Sequence, residues 1–174
     1  LWSTAEDLAK FAIDIQQTLK GKTNTVVSQT TTNEMLTPLM EGGGPALGIN
    51  ISNMKNETYF FHNGEIQGFN SELIAHKEKG YGVVVLINSN HPEFISELIR
   101  SVALTYNWDG YVTRFKKVKP DLKEIEKIEG RYRLNDENII EIYKNEKQLF
   151  RKNLSEKPVE LLKISDTAYV SRED

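Results

Sequence analysis

The sequence predicts an α+β fold, an antiparallel sheet flanked by helices, with a small all-β module behind it. Three observations carry that prediction. Apolar residues recur at helical spacing near the start and again after Pro92. Four strand-like runs follow one another between those two stretches. Beyond Asp109-Gly110 a run of alternating charges gives way to further short strand-like runs.

The elements follow in order. Ser3-Thr4-Ala5-Glu6 reads as a capping box, Leu8, Phe11, Ala12, Ile15 and Leu19 form an apolar stripe, and Gly21 supplies a stop, which together predict a helix over 4–20. A second, short helix follows Ser28 and ends near Thr37-Pro38, because the residue before a proline is pushed out of the α region. Gly42-Gly43-Gly44-Pro45 reads as a loop. Strands are predicted over 46–51, 58–62, 70–76 and 81–88, with Lys77-Glu78-Lys79-Gly80 turning between the last two. Pro92 opens a helix whose Ile95, Leu98, Ile99, Val102, Ala103 and Tyr106 make one face able to cover the sheet.

Residues 1–109 thus make the α+β unit. Residues 110–129, where Lys116, Lys117, Lys119, Lys123 and Lys127 alternate with Asp121, Glu124, Glu126 and Glu129, read as a charged, solvated connector. Residues 130–174 carry strand-like runs at 130–134, 138–143, 148–152, 159–164 and 167–170. They read as a small all-β module, either cut short at Asp174 or complete as a small sheet.

Composition narrows the function classes. The 174 residues are 39% hydrophobic, enough for a core, and the net charge of -3 is spread over mixed signs. Basic residues are mixed with acids along the chain, and the basic run Arg114 to Lys119 is followed at once by Asp121, Glu124 and Glu126, which argues against a phosphate-binding face and against nucleic acid as a partner. No run reaches the roughly 18 apolar residues of a membrane span. The absence of cysteine excludes a thiol nucleophile and thiolate metal sites. His76 and His91 have no partner at ligand spacing and read as surface or capping histidines, so no metal and no cofactor is implied. Trp2, Trp108, Tyr106 and Tyr111 read as packing residues.

The stretch Tyr59-Phe60-Phe61-His62-Asn63-Gly64-Glu65-Ile66-Gln67-Gly68-Phe69-Asn70-Ser71 carries the chemistry. An aromatic strand runs into His-x-Gly, and Gly-Phe-x-Ser follows at the start of the next strand. A glycine beside a polar strand residue lets a ligand approach the backbone with no Cβ in the way. An imidazole can pass protons near neutral pH or hold a substrate oxygen, and a strand-edge N–H can stabilise an oxyanion. The alternative from the triplet alone is an ordinary strand histidine at His62, with Gly64 and Gly68 permitting a bulge.

The wider pattern resembles serine β-lactamases and penicillin-binding-protein-like esterases. Beside the third active-site element of class C β-lactamases, Lys-Thr-Gly-Ser followed by Gly-Phe-x-Ser, His62 falls on the Lys, Asn63 on the Thr and Gly64 on the Gly. Glu65 falls on the residue whose backbone N–H completes the oxyanion hole, and Gly68, Phe69 and Ser71 match directly. Asn88, Asn90 and Pro92 resemble the strand end and the opening of the last helix. Ser-Thr-Ala-Glu-Asp-Leu-Ala-Lys-Phe resembles the helix after the family's second motif, so the likeness runs in order through residues 1–109. It implies a partial β-lactamase/transpeptidase-like fold, with His62, Gly64 and the Glu65 N–H in catalytic roles and Asn63, Gly68, Phe69, Asn88 and Asn90 binding substrate. Histidine in place of the lysine is the form of the family's esterases and peptidases, which favours ester or peptide acyl transfer. Glu65 departs from the small or hydroxyl residue the family keeps there.

The family's nucleophile lies in Ser-x-x-Lys at a helix start, with Tyr-x-Asn or similar as the second element. Ser52-Asn53-Met54-Lys55 fits only formally, at a predicted strand end; with 10 serines and 16 lysines in 174 residues about one such match arises by chance. Tyr143-Lys144-Asn145 lies in the all-β module. The expectation is therefore the C-terminal part of a serine hydrolase acting on a small-molecule or peptide substrate, inactive alone, followed by the start of a lipocalin-like tail that Gly130-Arg131-Tyr132-Arg133 resembles. The resemblance also implies a bacterial envelope, periplasmic or secreted location, and a piece of such a fold would expose a sheet edge open to self-association. The competing expectation is a non-catalytic module that binds a peptide or apolar ligand.

Overall fold

The structure, a computed structural model, describes residues 3–23, 25–135, 138–153 and 157–171. It divides into two compact units, Leu1–Thr113 and Arg114–Asp174. Among the described residues no helix is long and apolar enough to cross a membrane.

The first unit opens with α1 (Ala5–Leu19). Thr4, not Ser3, is its N-cap and accepts from the Asp7 N–H at 3.1 Å, so the residue three positions on is Asp7 rather than the Glu6 of a Ser3 box. It ends in a Schellman motif, Lys22 N–H to Gln17 O and Gly21 N–H to Thr18 O, both at 2.9 Å. Next comes α2 (Gln29–Met35), capped by Ser28. Five antiparallel strands follow in sequence order: β1 (Gly43–Pro45), β2 (Asn50–Met54), β3 (Glu57–Ile66), β4 (Phe69–His76) and β5 (Gly82–Ile87). The helix α3 (Pro92–Thr105) closes the unit.

Strand alternation splits the interior into two cores. Phe60, Leu73 and Ala75 face α1 and pack with Ala12, Ile15, Leu36 and Ile51. Tyr59, Ile74 and Val85 face the other way and pack with Ile95, Ile99, Ala103 and Trp108. Trp108 and Tyr111 pack as expected, whereas Tyr106 is 73% exposed; Trp2 lies outside the described residues.

Two sequence expectations need correction. The segment read as a Gly-rich loop contains β1, which pairs with residues 50–52, and the strand expected over 46–51 begins only at Asn50, after a turn closed by Ala46 N–H to Ile49 O. Composition hid β1 because glycine and proline rarely build strands. Glycine is required at position 43: its φ is +112°, and a Cβ there would sit 2.9 Å from Ile51 O. Gly43→Ala is expected to destabilise the unit by about 1–3 kcal/mol and to speed exchange of the β1–β2 amides; an unchanged exchange pattern would refute the role given to that strand.

Among the described residues no strand pairs with β5 at the far edge of the sheet. His76 N–H bonds Tyr81 O, which fixes the pairs exchanged with β4 and leaves the main-chain groups of Gly82, Val84 and Leu86 facing outward. An apolar groove of about 610 Å³ follows this edge between α1 and α3 and includes none of residues 62–71.

In the second unit, the stretch read as connector contains α4 (Leu122–Ile128). Asp121 and Glu124 form a reciprocal capping box, and Ile125 is fully buried. An antiparallel meander follows: β6 (Gly130–Arg133), β7 (Ile139–Asn145), β8 (Gln148–Asn153), β9 (Val159–Lys163) and β10 (Tyr169–Ser171). Lys163, 4% exposed, is paired with Glu124, which holds the Glu124 carboxyl below the ordinary range.

Candidate functional site

The ladder itself decides which backbone groups of β3 are free. Lys77 N–H donates to Thr58 O at 2.8 Å, so Thr58 and Lys77 are an exchanging pair. Stepping by two along the register makes Phe60–Ala75, His62–Leu73, Gly64–Ser71 and Ile66–Phe69 exchanging pairs as well. The N–H groups of Asn63 and Glu65 therefore point away from β4. On that side β2 reaches only as far as the Asn50–Phe61 pair. Among the described residues no strand lies beside 62–66, and the two amides face an open edge.

The side chains obey the other alternation. His62 leaves from the Phe60 face, toward α1, and is exposed; it lines a groove of about 180 Å³ with Phe11, Ile15, Met35, Ile49 and Ser71. Glu65 has the parity of Tyr59, so its carboxylate leaves from the opposite face while its N–H stays in the plane of the sheet. The departure at this position thus puts no acidic side chain on the His62 face. Gly64 stands opposite Ser71, whose Oγ donates to Gly64 O at 3.3 Å and lies 2.9 Å from where a Cβ would be. A side chain at 64 would displace that hydroxyl.

The tip of the ribbon is pinned. Gln67 and Gly68 form the turn between β3 and β4, with Gly68 at φ +86°, and the Gly68 N–H donates to Asn90 Oδ1 at 2.6 Å. Asn70 is 5% exposed and donates through Nδ2 to Ser89 O at 2.8 Å. Asn63 and Phe69 are exposed, the latter to 53%, and Asn88 is exposed just beyond β5. The structure thus brings His62, Asn63, Gly64, Glu65, Gly68, Phe69 and Asn90 onto one ribbon and its anchor, and gives Asn88 no bond to it.

Asn70 and Ser71 were underweighted by the sequence reading; an asparagine inside a strand, where it is disfavoured, was the available signal.

His76 is buried rather than on the surface, while its capping role holds: it caps the β4–β5 turn. It is 2% exposed; Nδ1 accepts from the N–H groups of Glu78 and Lys79, both at 3.0 Å, so the ring proton sits on Nε2 and is donated to Glu57 Oε2 at 2.8 Å. Lys79 Nζ bridges Glu57 at 2.6 Å and Asp109 at 2.8 Å. Tyr59 OH donates to Asp109 O, and burial raises its pKa. This cluster ties the β4–β5 turn to the segment after α3. Its polar groups are engaged with one another, which marks it as structural. His91, in contrast, is exposed and bonds Glu93 through Nδ1 at 2.7 Å. Among the described residues no group of three acidic or histidine side chains is placed to hold a metal.

The cluster has a pH signature. Lys79 holds the Asp109 carboxyl below its ordinary range, and Lys79 followed by His76 does the same for Glu57. Both are depressed carboxylates, so their contribution is present above the ordinary carboxylate range and is lost as pH falls through the lowered folded values. Thermal midpoints at pH 7 and pH 3 are expected to differ less in Lys79→Met than in the parent sequence. An equal difference would remove the cluster from the acid response.

Comparisons with known proteins bear on the family and the fold. The family model described as Beta-lactamase matches residues 1–107. Among solved structures the chain is similar to SurE with D-Leu, with TM-score 0.53 and 18% identity over 98% of this chain and 42% of that one. It is also similar to an octameric penicillin-binding protein homologue from Pyrococcus abyssi, with TM-score 0.49 and 21% identity over 97% of this chain and 42% of that one. The chain therefore spans less than half the length of these neighbours. No curated protein matches it significantly.

Proposed function

The chain belongs to the beta-lactamase family, and from that premise we propose that its 62–71 ribbon is one wall of a serine-hydrolase active site whose nucleophile lies in polypeptide outside these 174 residues. The observation that carries the proposal is the open β3 edge, with the N–H groups of Asn63 and Glu65 directed outward beside an exposed His62. The formal Ser52-x-x-Lys55 match sits on β2, with Lys55 in the turn at φ 49°, away from any helix start.

In this reading a serine oxygen bonds to the acyl carbon of an ester or peptide. Charge develops on the carbonyl oxygen, and the Glu65 N–H donates to it. The bond to the leaving alcohol or amine then breaks, and that group departs with a proton. Water cleaves the resulting acyl-enzyme. His62 orients the substrate or passes the proton, and the second unit is a lipocalin-like accessory module. D-leucine in the SurE structure makes an amino-acyl ester a sensible first substrate.

The test uses the full-length polypeptide that carries these residues, with a chromogenic short-chain or D-leucyl ester and a fluorophosphonate probe. Turnover together with covalent labelling of a serine supports the proposal. A folded protein that neither turns over nor labels is instead a binding module.

A further inference from the structure

The sequence pattern places Asn90 among substrate-binding residues, yet its amide oxygen is already committed. It accepts the Gly68 N–H at 2.6 Å, a donor that the β3–β4 turn itself leaves without a ladder partner. A second bond joins the same two segments, again with the ribbon as donor, from Asn70 Nδ2 to Ser89 O at 2.8 Å. The loop after β5 thus grips the ribbon tip at two points, Gly68 in the turn and Asn70 at the start of β4.

What the grip controls follows from the ladder. The outward amide of Glu65 lies three residues before Gly68, on the part of β3 that has lost its β2 neighbour. One side of that segment is held by β4, and among the described residues no strand lies on the other. A donor aimed at a developing charge must be fixed to a fraction of an ångström, since about 1 Å of misplacement can cost roughly 10²-fold in rate. With no strand on the open side, the tip anchor limits how far the Glu65 N–H can swing.

We propose that Asn90 is a positioning residue, holding the β3–β4 turn through Gly68 so that the Glu65 N–H keeps its aim, and that Asn70 completes the grip. This rests on the hydrolase reading of the ribbon, but the contact is testable apart from it. Because the bonded atom is an acceptor, aspartate at position 90 can replace it and alanine cannot. If Asn90 instead met substrate through its NH₂ group, aspartate would fail as badly as alanine.

The experiment therefore has two arms on Asn90→Ala and Asn90→Asp. In the 174-residue chain, amide hydrogen exchange is expected to quicken at Gly68, and at Phe69 in the last ladder pair, by about tenfold or more in Asn90→Ala and to return toward the original rates in Asn90→Asp. In the full-length polypeptide, Asn90→Ala is expected to lower kcat by about 10–100-fold with little change in KM, and Asn90→Asp to recover most of that loss. Unchanged Gly68 exchange in Asn90→Ala, or a loss confined to KM and shared by both variants, overturns the assignment. A full-length protein with no activity sinks the hydrolase reading alone, because the exchange arm still decides whether the grip exists.

Discussion

Replacing Phe60 with alanine is expected to destabilise the first unit by about 3–5 kcal/mol, read as a lower denaturant midpoint with an unchanged slope. The side chain is 1% exposed and packs among Ala12, Ile15, Leu36, Ile51, Leu73 and Ala75. Its neighbours stand on the sheet below and on the helix above, both held by backbone hydrogen bonds, so the site can collapse only partly and the cavity term stays large. A domain of ordinary stability has about 5–15 kcal/mol in total, so this one change threatens the unit. Phe69→Ala is the control, because that ring is 53% exposed and its loss is expected to fall within about 0.5 kcal/mol. Equal effects at the two positions would mean that the α1-side core is not what holds β3.

The second large effect is on rate. In the full-length polypeptide His62→Ala is expected to lower kcat/KM by about 10²–10⁴, the usual range for a positioned proton-transfer group, without moving the thermal midpoint. The separation is possible because the ring is exposed at the groove mouth and makes no hydrogen bond among the described contacts. A midpoint that falls with the rate would make His62 a packing residue. An unchanged rate would remove the ribbon from the reaction.

Much of the first unit was legible because its signals are local. Leu8, Phe11, Ala12, Ile15 and Leu19 define α1 by spacing alone, Pro92 marks the first residue of α3, and the turn at Lys77–Gly80 is where the charges and glycine place it. What escaped depends on contacts distant in sequence. A Gly-Gly-Pro strand becomes a strand only when β2 lies beside it. His76 shares the inward parity of Ile74, but its partner Glu57 comes from another strand, so no local pattern shows that burial is satisfied. For α4 the signal was present: Asp121-x-x-Glu124 with Ile125 and Ile128 is a cap followed by an apolar pair, obscured by the surrounding charges.

The site divides in the same way. The order His62, Gly64, Gly68, Phe69 and Ser71 is visible in the sequence, and so is the likeness it carries. Whether the Glu65 amide is free depends on where β2 stops, and the sequence prediction ran that strand from 46 to 51 instead of from Asn50 to Met54. The commitment of Asn90 to Gly68 spans 22 positions and has no local mark.

The two alternations of β3 are locked to each other by residue number, and this limits how the protein can vary. A single codon inserted between Phe61 and His62 would send the imidazole to the opposite face and turn the amides that now look outward back into the ladder, inverting both properties in one event. Two codons would restore the phase. Natural length changes in this ribbon should therefore come in even steps or be confined to the turn, and a library of insertions ahead of His62 should show function returning with every second length.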